Sequence, residues 1–204
     1  MTSQGKSNLV LALIPTGIVL NIALGSLVHA IKLPIFVDAV GTIIVALLAG
    51  WRPGLVVGVV SFLLMALLVN PAYVYFVGTQ ACIAITVYVL AVHFRSFRNI
   101  FTTICTGIAV AIVAAVVSAP VIVLVFGGVA GSGRDLITAV LMNSGTQIVE
   151  AVLLSGAASE PIDKTLQVLL AAALIRTAPR TLIARFASRA VERNRFLGGT
   201  EAAR

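Results

Sequence analysis

The most constraining feature of this sequence is the near continuity of its apolar runs. Of its 204 residues, 60% are hydrophobic and only 10% are charged. A soluble domain of this length cannot bury so much apolar surface, which indicates that lipid is its solvent. The runs are apolar on all sides, whereas spanning strands alternate in polarity and leave no open edge in lipid. The sequence therefore predicts an all-α integral membrane protein.

Six apolar runs have about the length of a bilayer crossing, which takes roughly 20 residues. The predicted spanning helices are Leu9–His29, Ile35–Gly50, Leu55–Val69, Val77–His93, Ile100–Phe126 and Ile162–Ile183, the last broken near Pro179. No signal-peptide pattern precedes them, so the first helix is expected to be retained. We predict a single membrane domain over residues 1–185 and a basic, partly disordered cytoplasmic tail over residues 186–204.

The positive charges predict the orientation of these helices. Seven arginines but only two glutamates follow residue 175. The other cations on the same predicted side are Lys6, Arg52, Arg95 and Arg98. The positive-inside rule places all of them, and both termini, in the cytoplasm, and leaves Lys32 and Arg134 outside. This charge distribution favours a membrane surface over nucleic acid as the partner of the basic tail.

The run Asp135–Gly156 complicates the topology because it is also long enough to cross. A seventh span would send the arginine tail outside. The run carries Asn143, Thr146, Gln147 and Glu150 at helical spacing, so these residues should share one polar face. We predict a re-entrant or amphipathic helix before the last span, with seven spans as the alternative.

Charged side chains at membrane depth are costly and usually face a cavity or one another. The candidates are Asp38, Asp135, Glu150, Asp163 and Lys164. Three of them also have a simpler interpretation: Asp38 can cap a helix, and Asp163 with Lys164 can form a cap beside a lysine that reaches the interface. In the aromatic loop at residues 70–76, Tyr75 either anchors the protein at the interface or stacks on a ligand.

Two stretches rich in small residues predict close approaches. Gly17, Asn21 and Gly25 recur every four residues, and Ala12 with Thr16 forms a second small pair, so this face packs either within the chain or against a partner subunit. The loop FGGVAGSGRD has four glycines between positions 127 and 133. It lacks the lysine and hydroxyl of a phosphate loop, and is either a flexible gate over an external pocket or an ordinary turn.

Motifs for enzyme chemistry are lacking. Neither His29 nor His93 stands beside an acid at catalytic or metal-ligand spacing, and Cys82 and Cys105 lie in separate apolar runs. The sequence contains no HExxH or GxSxG pattern. We expect a protein that is not an enzyme and that holds no metal.

Three stretches resemble the substrate-binding S component of energy-coupling factor (ECF) transporters, which are vitamin-uptake relatives of ABC importers. They are LPIFVDAVGTIIVALLAGWRPGLVVG at 33–58, SAPVIVLVFGGVAGSGRDLITA at 118–139 and SEPIDKTLQVLL at 159–170. With the small-residue face of the first helix, the resemblance covers nearly all of residues 9–185.

The resemblance implies a six-helix fold that binds a substrate from outside, and partnership with a transmembrane coupling subunit and two cytoplasmic ATPase subunits. ATP would be used by those partners, so no cofactor is expected in this chain. Carried over by position, the implied substrate-binding residues are Asp38, Tyr75, Asn143, Gln147, Glu150, Asp163 and Lys164. The implied contact with the coupling subunit involves Ala12 with Thr16, or Gly17 with Asn21.

The expected function is capture of a small, water-soluble organic micronutrient at a prokaryotic cytoplasmic membrane for import driven by partner subunits. Two alternatives remain open at this point. One is a facilitator that works alone. The other is a small membrane enzyme that uses Asp38, Glu150 and Asp163, a reading with less support because no catalytic motif accompanies these carboxylates.

Overall fold

A computed structural model describes residues 3–186 and 188–194, and within these ranges every regular element is a helix. The elements are α1 (Ser3–Ala30), α2 (Val40–Ala49), α3 (Trp51–Leu68), a 3-10 turn (Pro71–Phe76), α4 (Val77–Phe94), α5 (Ile100–Leu124), α6 (Asp135–Asn143), α7 (Ile148–Thr177), α8 (Arg180–Ile183) and α9 (Arg189–Asn194). The all-α prediction is confirmed.

Four helical stretches in the described part of the chain are long and apolar enough to cross a membrane. They are Leu9–Ala30, Trp51–Leu68, Pro71–Phe94 and Ile100–Leu124. Each corresponds to a span predicted from the sequence, with ends shifted by a few residues. These four helices support a membrane-embedded protein.

The second predicted span differs from the structure. Ile35–Gly50 was predicted to cross as a helix, but α2 has 10 residues and begins only at Val40. At 1.5 Å per residue it extends about 15 Å, roughly half of the hydrocarbon thickness. Eight of its residues are buried. Its all-round apolar sequence therefore reflects a central position among other helices.

Side chains of α7 hold the segment before α2 in a non-helical conformation. Asp163 Oδ1 accepts hydrogen bonds from the backbone N–H groups of Phe36 (2.9 Å) and Val37 (3.0 Å), and Gln167 Oε1 accepts one from Ala39 (2.7 Å). Val37 has a φ of +50°, which is an outlier for a β-branched residue. Such a conformation persists only where its surroundings impose it, and Asp163 does so here.

Glycines allow α1 and α2 to cross in backbone contact. A Cβ atom on Gly41 would lie 2.0 Å from the carbonyl oxygen of Gly17, and one on Gly17 would lie 2.8 Å from Val45 Cγ2. A Cβ atom on Gly25 would make similarly close contacts with Met65 and with Asp38. The small-residue face of α1 thus packs within the chain, which is one of the two alternatives that its spacing left open.

Asn21 fixes this crossing through buried hydrogen bonds. Its Oδ1 accepts from the backbone N–H of Gly41 at 2.7 Å, and its Nδ2 donates to Thr42 Oγ1 at 2.8 Å and to Ser61 Oγ at 3.1 Å. Thr42 Oγ1 in turn donates to Gln80 Oε1 at 3.1 Å. One polar chain therefore links α1, α2, α3 and α4 inside the bundle.

We expect Asn21→Leu to lower the thermal unfolding midpoint of the purified protein markedly. The variant leaves the buried donor of Gly41 and two hydroxyl groups without their amide partner, and one unsatisfied buried group costs roughly 1–3 kcal/mol. Ala23→Leu introduces the same side chain at an exposed position of α1, and should leave the midpoint unchanged. Equal midpoints for the two variants would contradict a stabilising role for Asn21.

The region predicted as a re-entrant or amphipathic helix over Asp135–Gly156 divides at a turn. The short helix α6 ends at Asn143, and Gly145 adopts a left-handed φ of +92° that ends the helical path. The last long helix was predicted to begin at Ile162, and this boundary is wrong, because α7 already begins at Ile148 and continues through Pro161.

The C-terminal segment is part of the folded bundle as far as residue 194. The predicted break near Pro179 is confirmed, since α7 ends at Thr177 and α8 begins at Arg180. Phe186, Ala190 and Val191 are buried. Part of the predicted tail therefore packs into the bundle, while the domain boundary between residues 185 and 186 stays a prediction. Residue 187 and residues 195–204 of the predicted disordered tail lie outside the described residues.

The bundle has two chemically different ends. At one end Arg176 Nη2 donates to the carbonyl of Phe97 at 2.8 Å, and Asn194 accepts from the backbone N–H of Phe97 at 2.8 Å. This end thus gathers the α4–α5 turn, the end of α7 and α9, all rich in arginine. At the other end, Asn70 Nδ2 lies 3.5 Å from the carbonyl of Ala130, joining the connections before α4 and α6.

Candidate functional site

A cavity of about 70 Å³ opens among the connections at the end opposite the arginines. Residues from seven regions line it: the end of α1, the α1–α2 segment, α3, the 3-10 turn with α4, α5, the glycine-rich loop and α7. Its polar lining includes His29, Asp38, Asn70, Gln80, Ser118, Ser132, Arg134, Glu160 and Lys164. The cavity is therefore charged at its base, although it lies in an apolar bundle.

One face of α7 supplies the base of the cavity. Glu160, Asp163, Lys164 and Gln167 are spaced by three or four residues, which places them on adjacent turns of one helical face. All four are at least 96% buried. Charge at this depth is tolerated only when it is paired, so the partners of each group determine what the site can do.

Lys164 is the centre of the charged cluster. Its Nζ lies 2.6 Å from Asp163 Oδ2, 3.8 Å from Glu160 Oε2 and 3.9 Å from Asp38 Oδ1. Its ammonium also lies 5.4 Å from the centroid of the Phe36 ring, a distance at which cation–π attraction operates. Three carboxylates from two parts of the chain thus converge on one cation.

Asp163 is a positioning residue of this cluster. Oδ1 accepts the two backbone hydrogen bonds from the α1–α2 segment, and Oδ2 accepts from Lys164 and, at 2.9 Å, from Gln167 Nε2. Both oxygens are fully engaged by the protein. Asp163 therefore sets the positions of Lys164 and of the segment that carries Asp38.

Arg134 enters the cluster from the loop before α6. Its Nη1 donates to Glu160 Oε1 at 3.2 Å, Nη2 donates to the carbonyl of Val152 at 2.6 Å, and Nε donates to Ser155 Oγ at 3.2 Å. Burial lowers the pKa of the Arg134 guanidinium, and Glu160 opposes this shift. Because arginine starts from a pKa above 12, it stays protonated. A Cβ on Gly156 would lie 2.7 Å from Nη2, so the glycine makes room for this side chain.

Glu160 has one oxygen in use and one free of hydrogen bonds. Oε1 binds Arg134, whereas the buried Oε2 has no hydrogen-bond partner and only the longer ion contact with Lys164. A buried acceptor without a partner carries a free-energy cost. This oxygen is therefore a buried acceptor in the cluster to which no group donates a hydrogen bond.

Aromatic side chains form much of the cavity wall. Phe36, Phe62, Tyr73 and Phe76 line it, and the Tyr73 ring packs edge-on against Phe62 with centroids 5.1 Å apart. The 3-10 turn presents two of these rings because Asn70 caps it, accepting from the backbone N–H of Ala72 at 2.9 Å. The cavity thus combines a charged base with apolar, π-rich sides.

The glycine-rich loop covers one side of the cavity with Ala130, Gly131 and Ser132. Asp135 holds this loop, since its Oδ2 accepts from the backbone N–H groups of Gly131 at 2.6 Å and Ser132 at 2.7 Å. A Cβ on Gly133 would lie 2.0 Å from the carbonyl oxygen of Leu33. Close approach of two backbones therefore requires a glycine here.

The structure brings only part of the predicted site set together. Asp38 and Lys164 line the cavity, and Asp163 lies directly behind them. Tyr75, Asn143, Gln147 and Glu150 are exposed and are not among the lining residues. Tyr75 packs instead on Phe126, with ring centroids 5.3 Å apart.

The prediction that Asn143, Thr146, Gln147 and Glu150 share one helical face is wrong, because the turn at Gly145 separates α6 from α7.

The sequence did not lead to a prediction for two residues of the charged cluster, Arg134 and Glu160. Arg134 was interpreted only as an outer-loop cation that disagrees with the charge rule, and Glu160 was expected to precede the last helix. Their signal was present, since an isolated arginine and an isolated glutamate in apolar surroundings require a partner. Glu160 lies on the continuous helix α7, and the loop before α6 folds back onto this helix and brings Arg134 beside Glu160.

The four residues predicted to contact a coupling subunit fall into two groups. Gly17 and Asn21 are buried within the bundle, whereas Ala12 and Thr16 are exposed. Ala12 and Thr16 line an apolar groove with Leu13, Leu174 and Phe186 on the side of α1 that faces away from Asn21.

Among the residues that the structure describes, no group of three or more His, Cys, Asp or Glu side chains is arranged to hold a metal ion. The carboxylates of the cavity are instead occupied by Lys164, Arg134 and backbone donors. Comparison of the chain with protein-family models, with curated proteins and with solved structures found no match.

Proposed function

We propose that this chain is the substrate-binding S component of an ECF-type importer, which captures a small, water-soluble organic compound outside a prokaryotic cytoplasmic membrane. Partner subunits, namely a transmembrane coupling subunit and two ATPases, would supply the energy from ATP. The observation that carries the proposal is the charged cavity beneath the glycine-rich loop, at the end of the bundle that the positive charges leave outside.

The helix arrangement is consistent with this proposal. α1 to α5 and α7 would be the six helices of the S-component fold, with α6 as the additional short helix before the last one. α2 is too short to span alone, and the non-helical segment before it completes that layer. Several arginines are gathered at the end that holds α9, and the positive-inside rule would place this end and both termini in the cytoplasm.

The exposed pair Ala12 and Thr16 is the better candidate for a contact with the coupling subunit. Small residues let the backbone of a partner helix approach closely. Gly17 and Asn21 already use their small size within the chain. The proposed contact therefore lies on the groove beside α7 and α8.

The test is co-expression with ECF coupling and ATPase subunits. We expect a stable four-subunit complex, a small organic compound that copurifies and is identified by mass spectrometry, and uptake of that compound into vesicles only with ATP. Ala12→Trp should abolish the complex and leave binding of the copurified compound unchanged, because Ala12 lies far from the cavity residues.

Two results would contradict the proposal. Failure to associate with such subunits removes the role of S component. Uptake by the purified chain alone in liposomes would show instead a facilitator that needs no ATPase. Since both experiments use the same purified protein, its thermal unfolding midpoint and monodispersity serve as the common control for folding.

A further inference from the structure

The charge balance of the cavity distinguishes among ligand classes. Three carboxylates, Asp38, Glu160 and Asp163, face two cations, Arg134 and Lys164, so the cluster formally carries one surplus negative charge. Each of the five residues is at least 96% buried. A surplus charge at such depth is costly unless another group compensates for it.

The two cations are already balanced by carboxylates. Three carboxylates lie within 4 Å of Lys164 Nζ, and Arg134 is paired with Glu160. A ligand carboxylate or phosphate would add a further negative charge to a cluster that already has a surplus of one. The unoccupied group is an acceptor, Glu160 Oε2, which is buried and lacks a hydrogen-bond partner.

We infer that the cavity binds a small organic cation that donates an N–H group to Glu160 Oε2 and places its apolar part among Phe36, Phe62, Tyr73 and Phe76. This ligand class specifies the substrate of the proposed S component and so rests on that proposed function. The cation supplies the missing positive charge, and the aromatic faces attract it further.

The size of the cavity restricts the cation to a small molecule. Sites for drug-sized ligands measure roughly 300–1,000 Å³, whereas this cavity measures about 70 Å³. A protonated amine or amidine on one ring suits this space, and its ring can lie against the wall while its nitrogen reaches α7.

The test uses three probes of one shape and different charge: benzylammonium, benzyl alcohol and benzoate. Calorimetric titration of the purified full chain in nanodiscs should give benzylammonium a Kd at least about tenfold below that of benzyl alcohol, and no binding of benzoate. Tighter binding of benzyl alcohol or benzoate would overturn the inference, and so would the absence of binding by all three probes.

A variant pair locates the preference at one atom. Glu160→Gln keeps the shape and removes the charge, so it should weaken benzylammonium about tenfold and leave benzyl alcohol unchanged. Glu192→Gln makes the same change at an exposed position of α9, and should alter neither probe. An unchanged charge preference in Glu160→Gln would exclude Glu160 as the acceptor. If this variant does not fold, the three probes on the unchanged protein still decide.

The outcome separates this inference from the proposed function. Association and ATP-driven uptake together with a preference for benzoate would refute only the ligand class. A preference for benzylammonium without any association with coupling and ATPase subunits would refute only the importer.

Discussion

Lys164→Met is expected to destabilise the protein more than any other single change in the cavity. Methionine keeps the length of the side chain, so the effect isolates the ammonium group. Without it, Asp38, Glu160 and Asp163 remain buried with only Arg134 to balance them. Removing one partner of a buried charge pair costs about 3–5 kcal/mol, and here three carboxylates lose the same partner.

The measurement is the thermal unfolding midpoint of the purified variant. Lys32→Met is the matched control, because Lys32 is exposed in a connection at the same end of the bundle, and it should leave the midpoint unchanged. Adding Asp38→Asn to Lys164→Met should recover part of the lost stability, since it removes one unbalanced charge. A single variant as stable as the control would show that Lys164 is not the centre of the cluster.

Gly41→Ala is expected to disrupt the crossing of α1 and α2. The added Cβ would lie 2.0 Å from the backbone oxygen of Gly17 and 2.7 Å from its carbonyl carbon. No side-chain rotation relieves a contact between two backbones, so the helices must separate and break the hydrogen bonds that Asn21 makes to α2. Overpacking of a core typically costs about 1–3 kcal/mol, and the lost hydrogen bonds add to this.

Gly78→Ala is the control for this change. Gly78 lies in the first turn of α4, where no atom stands within 4 Å of an added Cβ. Alanine there should leave the protein equally or slightly more stable, because alanine favours helix. Unfolding of both variants in detergent, followed by circular dichroism, compares them directly. Equal midpoints would refute the close crossing of α1 and α2.

The sequence was sufficient for the helical class because hydropathy alone identifies long apolar helices. It was insufficient for α2, whose apolar run has the composition of a span but is shortened by hydrogen bonds from Asp163 and Gln167, more than 120 positions away. No local pattern contains such a contact. The same holds for Pro161, where local rules favour a helix start although α7 continues through this residue.

The site shows the same division between local and distant information. Asp38, Asp163 and Lys164 could be selected because each is a charge in an apolar context. Arg134 and Glu160 have the same property, but their pairing depends on the loop before α6 folding back onto α7. The predicted polar face through Asn143 and Gln147 is wrong for a local reason. The conformation of one glycine interrupts the regular helical spacing between them.

The hydrogen bonds from α7 to the α1–α2 segment also determine which wall of the cavity can yield. Asp163 and Gln167 fasten that segment with three backbone hydrogen bonds of 2.7–3.0 Å. On the opposite side, a 3.5 Å hydrogen bond from Asn70 to Ala130 and the ring contacts of Tyr75 and Phe76 with Phe126 join the 3-10 turn to the glycine-rich loop. Passage of a solute between this turn and this loop breaks fewer backbone hydrogen bonds than passage beside α7, so the solute is expected to enter next to the glycines.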